Sequence, residues 1–554
     1  MRYALALVAA ALVAPAALRA ADPPITFQTQ PLNRVLDDVR AAADLIGGER
    51  AVKGFNDKIK EEFGDKGFEG LDLSRPIAGY VQLAPKAADA VAVIAFPVTN
   101  EKDFVELCDR VLEFPPKSLG KGMYALPAID PKHKARMKFA DGYAYVAYGV
   151  NPEPALDAKA LVPLNKVIDP ADQAIFASKF HFDRLTPEVK LAIPGVIAEL
   201  RKELGLDGKD GPDVTGVTRV DNKLILPVIE QFEKMFTRYA LLLGGGESAA
   251  LRVGLDVAAG EFSVEATLKG KPDTLLATAI AARKPTGNKF AALLTPDTVA
   301  GFKTRLPFFN DELRTATVKG IEAAQKEAGA PPIGKDLVDE LFKGLIRTVK
   351  TGEVDVVGAV RGPNKTGDYD LVVAVAFDDP SALGKEFKKL VESGTVPIEG
   401  NRFKWDADKL GKVDIHTFKM PEGRDFFDFN KPFGDEKATL AFAFAPNGVF
   451  VVVGADPVPA MKAALAVKPV ESPVLDVVLN PARMKKFVDK AGGPGLEVER
   501  TLGTDDKLLS AASLDVTGGK ELKVRFGLNL RVLPKAIFAG EDGKPQTESV
   551  PFKK

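Results

Sequence analysis

Two hydrophobic rhythms alternate along this chain, and the same succession of them runs through it twice. Apolar residues spaced three to four apart predict helices, and alternating or short continuous apolar runs predict strands. The first pass opens with a short strand at Phe27-Gln28-Thr29. Leu32, Val35, Leu36, Val39 and Ile46 then keep helical spacing, followed by Phe55, Ile59 and Phe63. The second pass opens at Phe302-Lys303-Thr304, where Leu313, Val318 and Ile321 precede Leu337, Val338, Leu341, Leu345 and Ile346. Each set predicts a helical hairpin, broken at Gly47-Gly48 and at Gly329 through Pro332. A β-hairpin follows, from Ile77 to Leu83 with Ala90 to Phe96, and from Val354 to Val360 with Tyr369 to Phe377. Amphipathic helices come next, at Glu101 to Leu112 and Pro380 to Val391.

The later elements match more closely. Second hairpins at Met137 to Val146 and Ala441 to Val451 carry Asp141-Gly142 and Asn447-Gly448 at their tips, dipeptides that accept the positive φ of tight hairpin turns. Gly149 with Pro152, and Gly454 with Pro457, then stand 305 residues apart. Further strands lead to proline-started helices at Thr186-Pro187 and Asn480-Pro481, and Leu255-Asp256-Val257 with Gly260 repeats as Leu514-Asp515-Val516 with Gly519. The expected matches are therefore Gly142 on Gly448, Gly149 on Gly454, Pro152 on Pro457 and Asp256 on Asp515, with extra text in the first copy between Ile193 and Ser248. Strands that come as hairpins, interleaved with helices, predict an α+β fold: tandem duplicated units of antiparallel β-hairpins covered by helices. The expected division is a signal peptide at 1–20, a first repeat at 25–283, a linker at 284–289, a second repeat at 290–540 and a flexible tail at 541–554.

The start of the chain changes the picture of where it works. Met1-Arg2, the apolar run from Ala4 to Leu18 and the small residues Ala20-Ala21 before Asp22-Pro23-Pro24 read as a secretory signal cut after Ala20. The run is short for a bilayer span, and an uncleaved anchor is the competing reading. Export to the periplasm or beyond is expected, with no transmembrane segment after cleavage. The lone cysteine, Cys108, has no disulfide partner within the chain and shares a helical face with Phe104, Leu107 and Val111, which predicts a small buried hydrophobe. A formal net charge of −1 with interspersed signs leaves no basic stripe for nucleic acid. Aromatic residues are mainly Phe, with one Trp, Trp405, which suits a core better than a stacking surface.

Candidate chemistry is sparse. His133, His181 and His416 have no metal-ligand spacing, and each reads as a strand or loop residue with satisfied partners. Gly244 through Ser248 runs from helix to strand, the reverse of a phosphate-cradling order, and Ser118-Leu119-Gly120-Lys121 lacks the companion motifs of a serine acyl-enzyme. Asp207, Asp210 and Asp213 lack the ligand order of a calcium loop. One loop invites a docking role: Phe426, Phe427, Phe429 and Phe433 between Asp425 and the following strand, with folding onto the sheet as the alternative. No catalytic, cofactor-binding or metal-binding residue is assigned, and no cofactor is expected.

The Ala/Val/Lys/Pro-rich text, the signal peptide and the duplicated hairpin-helix units resemble the uncharacterised secreted proteins of planctomycete-type bacteria. The resemblance is compositional and architectural, spans most of the mature chain and implies no catalytic residue. The expectation is a non-catalytic exported envelope protein with a structural or interaction role. The alternatives are a carrier of a lipid or other apolar ligand, and an enzyme with an unrecognised site between the repeats. Its partner is expected to be an envelope protein or an apolar ligand.

Overall fold

The computed structural model describes residues 22–82, 90–112, 115–127, 132–185, 245–282, 287–307, 311–327, 334–394, 402–420, 430–493 and 506–532, with 495, 499 and 502 singly. They group into two compact units. Of the described residues, those within Met1–Val217, Thr237–Lys284 and Thr517–Arg525 form unit 1, and those within Pro285–Val516 and Phe526–Lys554 form unit 2. Helices and mostly antiparallel strands are mixed in an α+β arrangement.

In unit 1 the strands are β1 (Ile25–Pro31), β2 (Pro76–Gln82), β3 (Val91–Pro97), β4 (Lys117–Gly120), β5 (Met123–Leu126), β6 (Lys134–Ala140), β7 (Tyr143–Gly149), β8 (Phe176–His181), β9 (Gly246–Asp256) and β10 (Glu261–Gly270). Their order across the sheet is β4-β5-β6-β7-β3-β2-β1-β8-β9-β10, and each of these pairings is antiparallel. Helix α1 (Leu32–Phe63) leaves helical geometry at Gly48, where the break was expected. Helix α2 (Glu101–Leu112) buries Phe104, Leu107 and Cys108 against Ile94, Phe96, Met137 and Val146. The opposite sheet face packs Tyr80, Val93, Ala95 and Tyr145 on Leu156, Val162 and Val167. With both faces covered, every residue of β3 is buried, which explains its unbroken apolar text.

Unit 2 contains β11 (Gly287–Asn288), β12 (Thr298–Pro307), β13 (Glu353–Arg361), β14 (Asp370–Ala376), β15 (Phe403–Leu410), β16 (Val413–Lys419), β17 (Thr439–Ala445), β18 (Gly448–Gly454), β19 (Val470–Glu471), β20 (Leu475–Leu479) and β21 (Leu509–Thr517). Its main sheet runs β15-β16-β17-β18-β14-β13-β12-β20-β21, again with each pairing antiparallel. This is the order of unit 1 from β4 to β9. The core packs Val357, Val372, Ala374, Phe450 and Val452 under Phe290, Leu293, Met461 and Ala464.

The registers refine the expected matches. Phe27 sits opposite Gly79 and Phe302 opposite Gly358. A Cβ on Gly79 would lie 2.1 Å from the Phe27 ring, and one on Gly358 would lie 2.8 Å from Phe302, so both pairs use glycine to seat an aromatic ring. Gly149 and Gly454 end equivalent strands, facing Lys134 and Thr439. Gly142, however, corresponds to Asn447. Ala140 pairs with Tyr143 around Asp141-Gly142, with φ of 51° and 72°, whereas Ala445 pairs with Gly448 around Pro446-Asn447. Proline fixes a negative φ, so the second turn is of another type. Asp256 likewise corresponds to Thr517. Phe176 faces Val253 while Leu475 faces Leu514, an offset two residues from the one the sequence suggested. A two-residue shift keeps every side chain on its face, so hydropathy did not reveal it. After Pro152 the chain makes a short 3₁₀ turn, Glu153–Leu156, where unit 2 has the helix Pro457–Leu465. Thr186-Pro187, Gly329 through Pro332 and most of the stretch from Ile193 to Ser248 lie outside the described residues. No helix among the described residues is long and apolar enough to cross a membrane.

Candidate binding cleft

Strand alternation builds a polar surface on unit 1. Across β1, β8, β9 and β10, Gln28 lies opposite Ala177, Ala177 opposite Arg252, and Arg252 opposite Glu265. One step along, Thr26 faces Lys179 and Lys179 faces Ala250. The two-residue period places these side chains on one face, with His181 at the end of β8. The segment from Asn165 to Asp172 borders this face and leaves a cleft of about 430 Å³.

Its floor is buried and polar: Thr26 is 7% and Gln28 6% exposed. Gln28 Nε2 donates to the Asp169 carbonyl at 2.9 Å, and its Oε1 accepts the Asp169 N–H at 2.6 Å. That pair of bonds holds the bordering segment in place. On the walls, Arg252 Nε lies 2.9 Å from Asp172 Oδ2, Lys166 Nζ 2.9 Å from Asp22 Oδ1, and Arg184 donates to the Pro23 carbonyl at 2.8 Å. Lys179 makes no ion pair among the described residues. Four cationic side chains (Lys166, Lys179, Arg184 and Arg252) and two carboxylates (Asp169 and Asp172) line the cleft. His181 sits among them with Nδ1 4.0 Å from Asp183. Burial, then the Arg184 and Lys179 charges, hold its imidazole below its ordinary pKa against the pull of Asp183 and Asp22. A second hollow of about 580 Å³ shares Asp172 and Arg252 and reaches Gln30, Arg34, Asp38 and Arg525. Burial raises the Asp38 carboxyl there.

The same place in unit 2 is closed by the chain itself. Matching Phe27 to Phe302 and Ser178 to Val477 puts Lys303 where unit 1 has Gln28, and Asp476 where it has Ala177. Lys303 Nζ lies 3.2 Å from Asp476 Oδ2, and Ser510 Oγ donates to Asp476 Oδ1 at 2.6 Å. Arg305, at the position of Gln30, is 8% exposed over the fully buried Asp355, with Nε and Oδ1 3.7 Å apart. Its guanidinium also donates to the Gly287 carbonyl, while Asn288 Nδ2 donates to the Thr304 carbonyl at 3.0 Å. Gly287 and Asn288 pair with Glu471 and Val470, forming a strap. By the same strand offset, the strap positions in unit 1 are Leu12 and Val13, inside the apolar run read as a signal and outside the described residues.

The residues singled out from sequence stand elsewhere. Phe433 is 1% exposed and packs on Tyr369 and Phe487, so it belongs to the core and not to a docking surface: a ring of that size gains more from burial in this cluster than from solvent exposure. Phe426, Phe427 and Phe429 lie outside the described residues, as do Asp207, Asp210 and Asp213. His133 stacks on Tyr148 with centroids 5.3 Å apart. His416 Nδ1 accepts the Asp406 N–H at 3.1 Å, its ring packed against Trp405 and Phe442. Burial lowers its pKa, although Asp406 and Asp414 oppose this. Cys108 is 1% exposed and burial pushes its thiol up to about 12, which suits an inert core residue. Ser118 Oγ accepts the Gly120 N–H within its own turn. The cleft itself escaped the sequence reading, except that His181 alternates with Phe180 and Phe182. The same alternation, extended to Ala177 and Lys179, marks the polar face of β8. Comparison of the chain with protein-family models, with curated proteins and with solved structures finds no match.

Proposed function

We propose that this chain is an exported, non-catalytic interaction protein of the cell envelope, in which two duplicated units share one scaffold and unit 1 keeps a binding cleft that unit 2 has closed. The carrying observation is the contrast at one sheet position: Gln28 and Ala177 beside an open, polar hollow, against Lys303 and Asp476 in a closed ion pair. A common strand order and the paired Phe27–Gly79 and Phe302–Gly358 contacts support descent of both units from one. A rigid antiparallel sheet suits binding because it holds side chains at fixed spacing without a moving part.

An apolar carrier draws less support, because four cationic and two anionic side chains line the cleft. The test is a screen of the purified mature protein. A panel of polar metabolites should yield a ligand that raises the melting temperature and shifts resonances of Gln28 and His181, without turnover. Substrate turnover abolished by a cleft substitution, or lipid retained through gentle extraction and native mass spectrometry, would replace this reading with the enzyme or the carrier.

A further inference from the structure

We infer that the unit 1 cleft binds a small organic polyanion, a molecule bearing two or more carboxylate or phosphate groups. The inference rests on the reading of this hollow as a binding cleft and adds the chemistry of its occupant. In unit 2 the protein supplies its own counter-charge: Asp476 reaches Lys303, and Ser510 holds that carboxylate. In unit 1 both members of that pair are replaced by uncharged residues, Gln28 and Ala177, and the Ala177 methyl group leaves the space unfilled. Lys179 projects from the next row of the same face and makes no ion pair among the described residues. Arg252 is already aimed by Asp172 and Glu265, and Arg184 by the Pro23 carbonyl and Asp22, so both guanidinium groups are held in position without help from the ligand. Around these cations the floor offers the neutral amide of Gln28 and hydroxyl of Thr26, both anchored in the sheet and both compatible with an anion's polar body. The size of the hollow falls within the range of small-molecule sites.

His181 supplies an internal reporter. Lys179 and Arg184 both disfavour its protonation. An anion seated between them screens that repulsion and raises the imidazole pKa, a change that a ligand bound elsewhere does not produce. The aspartates on this side, Asp22 and Asp183, are present with or without ligand and so do not mimic the change.

The experiment is a titration of the full mature protein with citrate, with inorganic phosphate and with the neutral sugar sucrose, followed by calorimetry and by the His181 ring resonances across pH. Citrate should bind, raise the His181 pKa and lose affinity in added salt. Lys179→Gln, a surface change that leaves the sheet pairings intact, should weaken citrate about tenfold. Arg184→Lys should give a smaller loss through its weaker geometry. Binding of phosphate at similar strength supports the same inference and identifies the phosphoryl group as the recognised chemistry. Citrate binding unchanged by Lys179→Gln, in protein whose melting curve shows it folded, overturns the inference. Sucrose moving the cleft resonances while neither anion does so also overturns it, yet leaves the cleft as a binding site. Silence from all three probes at about 10 mM removes the anion, and the metabolite screen then decides separately whether the cleft binds anything.

Discussion

Unit 1 and unit 2 run their strands in the same order, yet they treat one sheet face in opposite ways. In unit 2, Lys303 meets Asp476, Arg305 covers Asp355, and the Gly287-Asn288 strap lies across the edge of the site. In unit 1, among the described residues, the Gln28 side chain bonds to the bordering backbone and the neighbouring positions open into a hollow. The difference teaches that a scaffold and a site are separable: with the same register, Lys303 and Asp476 fill a position that Gln28 and Ala177 leave open.

The sharpest way to break the comparison is to remove the buried acid of unit 2. Asp355→Ala leaves Arg305 in the interior without its carboxylate, and the loss should be about 3–5 kcal/mol in urea unfolding. Gln28→Ala, at the adjacent position in unit 1, removes two hydrogen bonds beside an open hollow and should cost about 1–2 kcal/mol. Equal costs would mean that the two faces are not differently built. Next come the ring-seating glycines. Gly79→Ala drives a methyl into Phe27, which also packs near Phe176, and should cost about 1–3 kcal/mol through overpacking. Gly358→Ala should cost less than about 1 kcal/mol, because Phe302 is 42% exposed and its ring can swing aside. A reversed ranking by thermal melting would contradict the description of the two pairs.

Two pH effects of opposite sign are smaller. Burial pushes the Asp370 carboxyl up to about 6, with Asp297, Asp456 and Asp368 adding to the rise and Arg361 opposing it. Its folded pKa stands above its unfolded one, so its stabilising contribution is complete below about pH 4 and is lost as pH rises through about 6. Asp370→Asn should therefore stabilise the protein at pH 8 by about 1 kcal/mol, after screening on its solvent-facing side, and have little effect near pH 4. His181 and His416 go the other way. Their folded pKa values lie below the ordinary 6.5, so the stability they contribute is present above that pH and is lost as pH falls through the folded values. His416→Gln should flatten part of the drop in melting temperature between pH 7 and pH 5. An unchanged slope would show that the His416 pKa is the same in the folded and unfolded protein.

Much of the fold was legible because it rests on local signals. The Gly48 break, the burial of α2 through Phe104, Leu107 and Cys108, and the strand-ending Gly149 and Gly454 all follow from spacing and turn chemistry. The strands β4 and β15 were missed: every residue of β4 is exposed, and β15, although Phe403, Trp405 and Ala407 alternate with charged residues, breaks its register between Lys404 and Asp408. Asp256 was matched to the wrong partner because a two-residue slip preserves sidedness. The cleft was hidden for a different reason. Gln28, Lys166, Lys179, Arg184 and Arg252 are spread over more than 200 residues and meet only through the strand order β1-β8-β9. Ala177, the residue that opens the space, carries no chemical signal of its own and is informative only beside Asp476.

The most direct test rebuilds the unit 2 arrangement in unit 1. In the double variant Gln28→Lys/Ala177→Asp, a lysine and an aspartate occupy the positions of Lys303 and Asp476, and the melting temperature is measured with and without citrate. The account predicts a folded protein that lacks the citrate-induced rise expected of the parent. A citrate-induced rise of the parent's size in the double variant would contradict it.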